Sequence, residues 1–82
     1  MNYGYAIEQA AAQTVFACPA RERRLLLAAF ADIARAPTAK HDVSERDSHG
    51  RELFTRFFGP FSVTYWIDHA VAEVRIVVVY RD

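Results

Sequence analysis

The last third of the sequence contains three strand-like segments in close succession, and these constrain the fold more than any other feature. They run Glu52–Phe58, Phe61–Asp68 and Glu73–Arg81, and each is rich in β-branched and aromatic residues. Gly59-Pro60 separates the first two segments, and His69–Ala72 separates the last two. Because connections this short join antiparallel neighbours, the segments predict a three-stranded antiparallel meander.

Alternation along the strands predicts which side chains face the core. In the middle segment, one face carries Phe61, Val63, Tyr65 and Ile67, and the other carries Ser62, Thr64, Trp66 and Asp68. In the last segment, Val74, Ile76, Val78 and Tyr80 oppose Glu73, Arg75, Val77, Val79 and Arg81. We expect the first set of each strand to pack against helices. Tyr80 would then lie in the core, while Trp66, Val77 and Val79 would form an apolar surface on the opposite face.

The clearest helix lies between Pro19 and Pro37. Proline suits the first helical position because its missing N–H would be unpaired there, and Pro37 ends the pattern. Between the two prolines, the residues at helical spacing on one face are Glu22, Leu26, Ala29, Phe30 and Ile33. This face is expected to pack on the sheet.

The residues before this helix predict a short strand and then a second element, for which two interpretations remain. Tyr3–Glu8 alternates with period two, which indicates a strand. Gln9–Cys18 is Ala-rich, with Ala11 and Val15 at helical spacing, so a short helix is predicted. The alternative is that the first strand continues, because the later residues of this segment are β-branched or aromatic.

The stretch Thr38–Arg51 is polar, with Val43 as its one substantial apolar residue, and predicts a solvated loop with a turn at Gly50. The expected fold class is therefore α+β, in the order β-α-α-β-β-β, with the helices on one face of a four-stranded sheet.

Length and charge narrow the classes of function. A chain of 82 residues has room for a single domain, residues 1–82. Ten basic residues balance ten acidic ones, which argues against extensive phosphate binding. The one cysteine, Cys18, cannot form an internal disulfide. With no leader-like or membrane-spanning stretch recognised, a cytoplasmic location without membrane contact is expected.

The element order resembles the RelE/ParE toxin superfamily. The residues that carry the resemblance are Ala17-Cys18-Pro19 with Arg21 before the helix, Gly50-Arg51-Glu52, the segment from Gly59-Pro60 to Asp68, and the tail from Ala72 to Arg81. The resemblance covers nearly the whole chain. It implies a compact toxin of a type II toxin-antitoxin system, neutralised by a cognate antitoxin protein. RelE-like members cleave mRNA on the ribosome as metal-independent endoribonucleases, whereas ParE-like members inhibit gyrase without being enzymes.

The resemblance also implies candidate site residues. Arg56 and Arg81 match basic catalytic positions, where they would hold phosphate. Two departures argue against a full nuclease site: Ser62 stands where nucleases of the superfamily often have Arg, and the sequence ends at Asp82 without the usual short extension. Arg56, Arg75 and Arg81 are interpreted either as one phosphate-binding face or as an ordinary solvated sheet face.

Ser62, Trp66 and Arg75 are candidate binding residues, and we expect Trp66 to contact a protein partner rather than a base. His41, His49 and His69 do not have the spacing of a metal site, so no metal or cofactor is expected. Asp68 beside His69 is interpreted as a polar turn, with an acid-base pair as the alternative. The leading hypothesis is a toxin-like protein that binds a cognate antitoxin, with its cellular target left open. Action on mRNA at the ribosome, gyrase inhibition, a degenerate non-toxic binding module and homodimerisation are the alternatives left open.

Overall fold

The computed structural model describes residues 3–39 and 41–82. Two helices precede most of the strands. The elements are β1 (Gly4–Ile7), α1 (Gln9–Ala17), α2 (Ala20–Arg35), β2 (Val43–Arg46), β3 (Glu52–Phe58), β4 (Phe61–Asp68) and β5 (Glu73–Arg81). Neither helix in the described residues is long and apolar enough to cross a membrane.

The strands form one sheet in the order β1-β5-β4-β3-β2. The pairs β3–β4 and β4–β5 are antiparallel, so the predicted meander is confirmed with the same strand bounds. β1 pairs with β5 in parallel, with Tyr5 opposite Val74 and Ile7 opposite Ile76. The helices lie on one face of the sheet, and we call the other face the open face.

Among the described residues the sheet has five strands rather than the expected four, because β2 forms inside the predicted solvated loop. β2 pairs antiparallel with the edge of β3, and backbone bonds from Asp42 to Thr55 (2.8 Å) and from Asp47 to Arg51 (2.9 Å) flank it. All four of its residues are exposed, so no alternation of apolar and polar residues marks it in the sequence. Gly50 turns the chain back with φ of 79°, which confirms the predicted turn.

Residues 9–17 form a helix, so continuation of the first strand is wrong. The Ala11 and Val15 side chains, one helical turn apart, are buried against the rest of the core. α2 begins at Ala20, and Pro19 is its N-cap with an extended backbone rather than its first helical residue. The predicted inner face of α2 is confirmed, with Leu26, Phe30 and Ile33 fully buried.

The core lies between these helices and the middle of the sheet. Phe30 of α2 meets Tyr5 of β1 with ring centroids 5.7 Å apart. The other large buried side chains come from β4 and β5 and include Phe61, Val63, Tyr65, Val74, Ile76 and Val79. The helices pack mainly on β5 and β1, at one end of the strand order, while β3 and β2 form the other end. The inner face of β3 therefore borders a groove beside α2.

An irregularity in the β4–β5 pairing changes the faces of the last strand. Tyr65 pairs with Ile76, but Thr64 pairs with Val78, so Val77 is an extra residue in β5. An extra residue on one strand is a β-bulge, and it reverses the alternation of the residues that follow. Val79 is consequently buried at 2% exposure, while Tyr80 is 66% exposed.

The predicted faces of the end of β5 were therefore wrong. Tyr80 and Val78 do not belong to the inner face, and Val79 does not belong to the open face. Val78 lies opposite Thr64 and Tyr80 lies opposite Ser62, both on the open face. Upstream of the bulge the predicted inner positions Val74 and Ile76 are confirmed.

The bulge predicts opposite outcomes for two neighbouring substitutions. Val79→Asp buries a carboxylate in the core and should lower the free energy of unfolding by on the order of 3–5 kcal/mol. Tyr80→Asp changes an exposed side chain and should cost about 0.5 kcal/mol. Urea unfolding of both variants checks this. A larger loss for Tyr80→Asp than for Val79→Asp would show that the alternation runs uninterrupted through β5.

Candidate functional site: the open face of the sheet

The open face carries two exposed aromatic side chains on either side of a small one. Ser62 of β4 lies between Phe57 of β3 and Tyr80 of β5, because both are its cross-strand partners. Phe57 is 58% exposed and Tyr80 is 66% exposed. Strands lie about 4.8 Å apart, so the Cα atoms of Phe57 and Tyr80 are about 10 Å apart, with Ser62 between them. We call these three residues the aromatic row.

Trp66 lies further along the same face and is covered by an arginine. The Arg51 guanidinium lies over the Trp66 ring at 4.4 Å from its centroid, and Arg51 also pairs with Asp47 at 3.0 Å. The Trp66 indole N–H is buried without a hydrogen-bond acceptor among the described residues. Trp66 therefore shares the open face with Ser62, as the alternation predicts. Its side chain is half-buried, and the Arg51 guanidinium covers the ring.

The predicted common face for Arg56, Arg75 and Arg81 does not form. Arg56 lies opposite Val63 and Arg81 lies opposite Phe61, so both are on the helix side of the sheet. Arg75 lies opposite Trp66, on the open face. The bulge accounts for the separation of Arg75 from Arg81, since an uninterrupted strand would have placed both on one face.

Each of the three arginines is paired with a carboxylate. Arg81 forms an ion pair with Glu22 of α2, and this contact raises the pKa of Arg81. Arg56, whose side chain is 15% exposed, meets Asp32 of α2 at 3.4 Å. Their guanidinium charges are thus engaged by α2 and do not point together at an open surface.

Arg75 is also engaged. It lies 2.8 Å from Glu73 and 3.8 Å from Glu8, and the hydrogen bond to Glu73 is the main reason that the pKa of Arg75 is raised. On the open face, Arg75 therefore lies between the carboxylates of Glu73 and Glu8. An arginine already paired with carboxylates is less available to a phosphate.

The histidines do not meet at one site. The His41 ring packs against Phe54 with centroids 4.9 Å apart, and His69 Nδ1 is hydrogen-bonded to the Tyr3 hydroxyl at 2.8 Å. Asp68 accepts the Ala70 backbone N–H at 3.2 Å, which is the geometry of a polar turn. The acid-base pairing of Asp68 with His69 is thus not seen.

Sequence reasoning missed the Phe57 and Tyr80 pair. Phe57 lies on the open face simply because Phe58, Arg56 and Phe54 take the inner positions of β3. Alternation in residues 52–58 could have separated these two sets. For Tyr80 no such signal exists, because the run Val77 to Val79 is apolar on both sides of the bulge.

Asp32 joins two arginines on the helix side. Its carboxylate accepts from Arg35 at 2.5 Å and from Arg56 at 3.4 Å. The hydrogen bond from Arg35 is the main reason that the pKa of the Asp32 carboxyl is lowered, and Arg56 adds to the effect. The folded protein thus favours the ionised form of Asp32.

The lowered pKa predicts a specific loss of stability in acid. A carboxyl whose folded pKa lies below its unfolded value of 3.8 stabilises the fold above that pH, and the stabilisation disappears as pH falls through the folded pKa. Asp32→Asn should therefore flatten the dependence of the unfolding temperature on pH below about 4. Thermal unfolding between pH 2 and pH 6 measures it. Glu45→Gln, which removes an exposed carboxylate, is the matched control, and an equal flattening in both variants would contradict the role of Asp32.

Comparisons with known proteins give a result at the level of the fold. No protein-family model matches the chain, and no curated protein matches its sequence. Among solved structures, the toxin-antitoxin complex RelBE2 from Mycobacterium tuberculosis contains a similar chain, with a TM-score of 0.80 and 21% sequence identity over 100% of both chains. The archaeal RelE-RelB complex from Pyrococcus horikoshii OT3 gives a TM-score of 0.77 and 17% identity, over 99% of this chain and 96% of that chain. The chain has the fold of these proteins, and the fold that the RelE/ParE resemblance implied is confirmed.

Proposed function

We propose that this protein is the toxin-like component of a toxin-antitoxin pair and that it binds its antitoxin through the open face. The observation that carries the proposal is the exposed pair Phe57 and Tyr80 flanking Ser62, with Trp66 further along the same face. Exposed aromatic side chains grouped on one surface usually mark an interaction site. The two similar solved structures are both toxin-antitoxin complexes, which supports a protein as the partner.

The chemistry of the open face favours protein over nucleic acid. Nucleic-acid binding draws most of its affinity from cations that replace counterions on phosphates. On this face Arg75 is paired with Glu73, Arg51 is paired with Asp47, and the whole chain has a formal charge of zero. Aromatic side chains, by contrast, are enriched at the centres of protein interfaces. The exposed rings of the aromatic row suit apolar side chains of the antitoxin.

The unpaired indole N–H of Trp66 supports the same proposal. A buried donor without an acceptor costs free energy, and a partner backbone carbonyl can supply the acceptor once Arg51 moves aside. Arg51 is held over the ring by a cation–π contact and by one ion pair to Asp47, and its own side chain is 45% exposed. Antitoxin binding would then replace Arg51 on the Trp66 ring.

As a further part of the proposal, the whole chain acts as one cytoplasmic domain. Cys18 is a buried free thiol that donates a hydrogen bond to the Thr14 carbonyl at 3.2 Å. Free thiols are typical of proteins in a reducing compartment, which supports a cytoplasmic location. Arg56 and Arg81 remain the predicted catalytic residues for mRNA cleavage. Their ion pairs with Asp32 and Glu22 favour weak activity or none.

Substitution of the open-face aromatics should weaken antitoxin capture. Phe57→Ser, Tyr80→Ser and Trp66→Ala each remove large contact area at the centre of the proposed interface and should raise the dissociation constant about tenfold or more. The partner to be tested is the product of a small adjacent reading frame, if it encodes a DNA-binding domain and an amphipathic tail, and titration calorimetry measures its affinity.

Phe16→Ser is the matched control for this experiment. Phe16 is a 75% exposed aromatic on α1, on the helix side of the molecule. The control should bind as tightly as the unchanged protein. Equal affinity for all four variants would place the antitoxin on another surface, and no complex at all would contradict the proposed function.

Expression without antitoxin should produce little or no codon-phased mRNA cleavage. Loss of one preorganised charge-stabilising group reduces a rate by about 10²–10³-fold, and here Ser62 replaces a basic residue while Arg56 and Arg81 are already paired. Mapping of mRNA 5′ ends on stalled ribosomes measures cleavage. Strong cleavage that survives Arg56→Ala and Arg81→Ala would overturn the assignment of both residues, whereas growth arrest without cleavage would indicate gyrase as the target.

A further inference from the structure

A concave surface lies on the helix side, beside α2. A cavity of about 430 Å³ opens between the outer side of α2 and the β3–β4 turn, and its apolar lining includes Leu25, Ala28 and Phe58. Leu25 is 47% exposed, although it lies in the middle of a helix next to a core. We call this surface the α2–β3 groove. From Leu25 to Arg35 the helix rises about 15 Å, so the groove spans nearly three helical turns.

One end of the α2–β3 groove is charged. Asp32 and Arg35 line both the apolar cavity and a second cavity of about 240 Å³, which Arg56 also borders. The Asp32 carboxylate lies between the two guanidiniums, at 2.5 Å from Arg35 and 3.4 Å from Arg56. The protein therefore holds one carboxylate of its own in a site built from two arginines.

The other ionisable groups near Arg56 do not complete this site. Asp42 lines a neighbouring cavity with Arg56, but its carboxylate accepts the Phe57 backbone N–H at 3.0 Å. His41, in the same cavity, packs on Phe54. Two guanidiniums thus share the single carboxylate of Asp32. Guanidinium groups bind carboxylates through paired, charge-assisted hydrogen bonds, so the pair has capacity for a stronger acceptor.

We propose that the α2–β3 groove binds an apolar segment of a protein partner that carries one Asp or Glu side chain, and that this side chain takes the place of Asp32 on Arg35 and Arg56. Asp32 is about half exposed, so it can turn away into water when a second carboxylate arrives. The apolar lining next to the arginines would receive the residues that flank the acidic one, whereas a polyanion such as RNA would place phosphates against Leu25 and Phe58. The choice of a protein partner rests on the proposed function.

The experiment uses short peptides as probes, so that its outcome does not depend on the antitoxin. Acetyl-Leu-Glu-Leu-amide and its Gln counterpart are titrated into the full chain, and backbone NMR shifts are followed. The Glu peptide should bind with a millimolar dissociation constant and shift residues 25–35 and 56–59, while the Gln peptide should bind much more weakly. Asp32→Asn should bind the Glu peptide more tightly, by up to about fivefold, because an exposed competing ion pair is removed. Arg35→Gln should abolish the difference between the peptides.

Equal binding of the two peptides, or shifts confined to other residues, would overturn the inference. Tighter binding of phenylacetate than of the Glu peptide would also overturn it, since the occupant would then be a small free acid. Tyr80→Ser should bind the Glu peptide like the unchanged protein, because Tyr80 belongs to the open face and lies opposite Ser62. If the peptides do not bind but the antitoxin does, the inference about the α2–β3 groove is refuted and the proposed function stands. If the Glu peptide binds but no antitoxin is captured, the proposed function is refuted and the inference about the groove stands.

Discussion

The pairing of β4 with β5 determines where most of the chemically interesting side chains of this protein lie. The bulge at Val77 buries Val79, turns Tyr80 towards the open face and brings Arg81 to the helix side, where Glu22 meets it. Without the extra residue, Arg75 and Arg81 would share the open face and Tyr80 would lie in the core. One inserted residue therefore gives the open face an aromatic side chain, Tyr80, in place of a basic one, Arg81. The resulting surface is better suited to a protein than to a phosphate.

The ion pairs reinforce that difference. Arg81 pairs with Glu22 near the start of α2, and Arg56 pairs with Asp32 near its end, so two ion pairs connect the sheet to this helix. Arg75 connects β5 to Glu8 at the start of α1. Exposed pairs of this kind contribute little stability individually. Their larger effect is on function, because a guanidinium already engaged by a carboxylate is less available to an incoming phosphate. An incoming carboxylate competes on more equal terms at Asp32, since it offers the same geometry to the same donors.

Much of the fold follows from local patterns in the sequence. Strong turn residues at Gly59-Pro60 and regular alternation in β4 explain why the meander could be predicted with its bounds, and the spacing of Leu26, Phe30 and Ile33 explains the same for α2. β2 could not be predicted, because its stability comes from backbone pairing with β3 and none of its side chains is buried. Pairing of this kind leaves no periodic trace in the sequence.

The candidate site was less predictable for a related reason. The face of Trp66 follows from alternation within one strand, and it was predicted. The faces of Tyr80 and Val79 depend on how β5 adjusts to β4, which is a property of two strands together. The acidic partners of Arg56 and Arg81 come from α2, far away in sequence, so their ion pairs could not be read from either segment alone.

The parallel pairing of β1 with β5 has a consequence for the synthesis of the protein. β1 precedes all the other described elements and β5 follows them, and Gly4 lies opposite Glu73 in the finished sheet. Contacts between such distant positions slow folding, because the chain must close its longest loop before they form. During translation, β1 has no partner in the sheet until β5 has been made. The open face includes Tyr80 of β5, so this binding surface forms only after β5 has been synthesised.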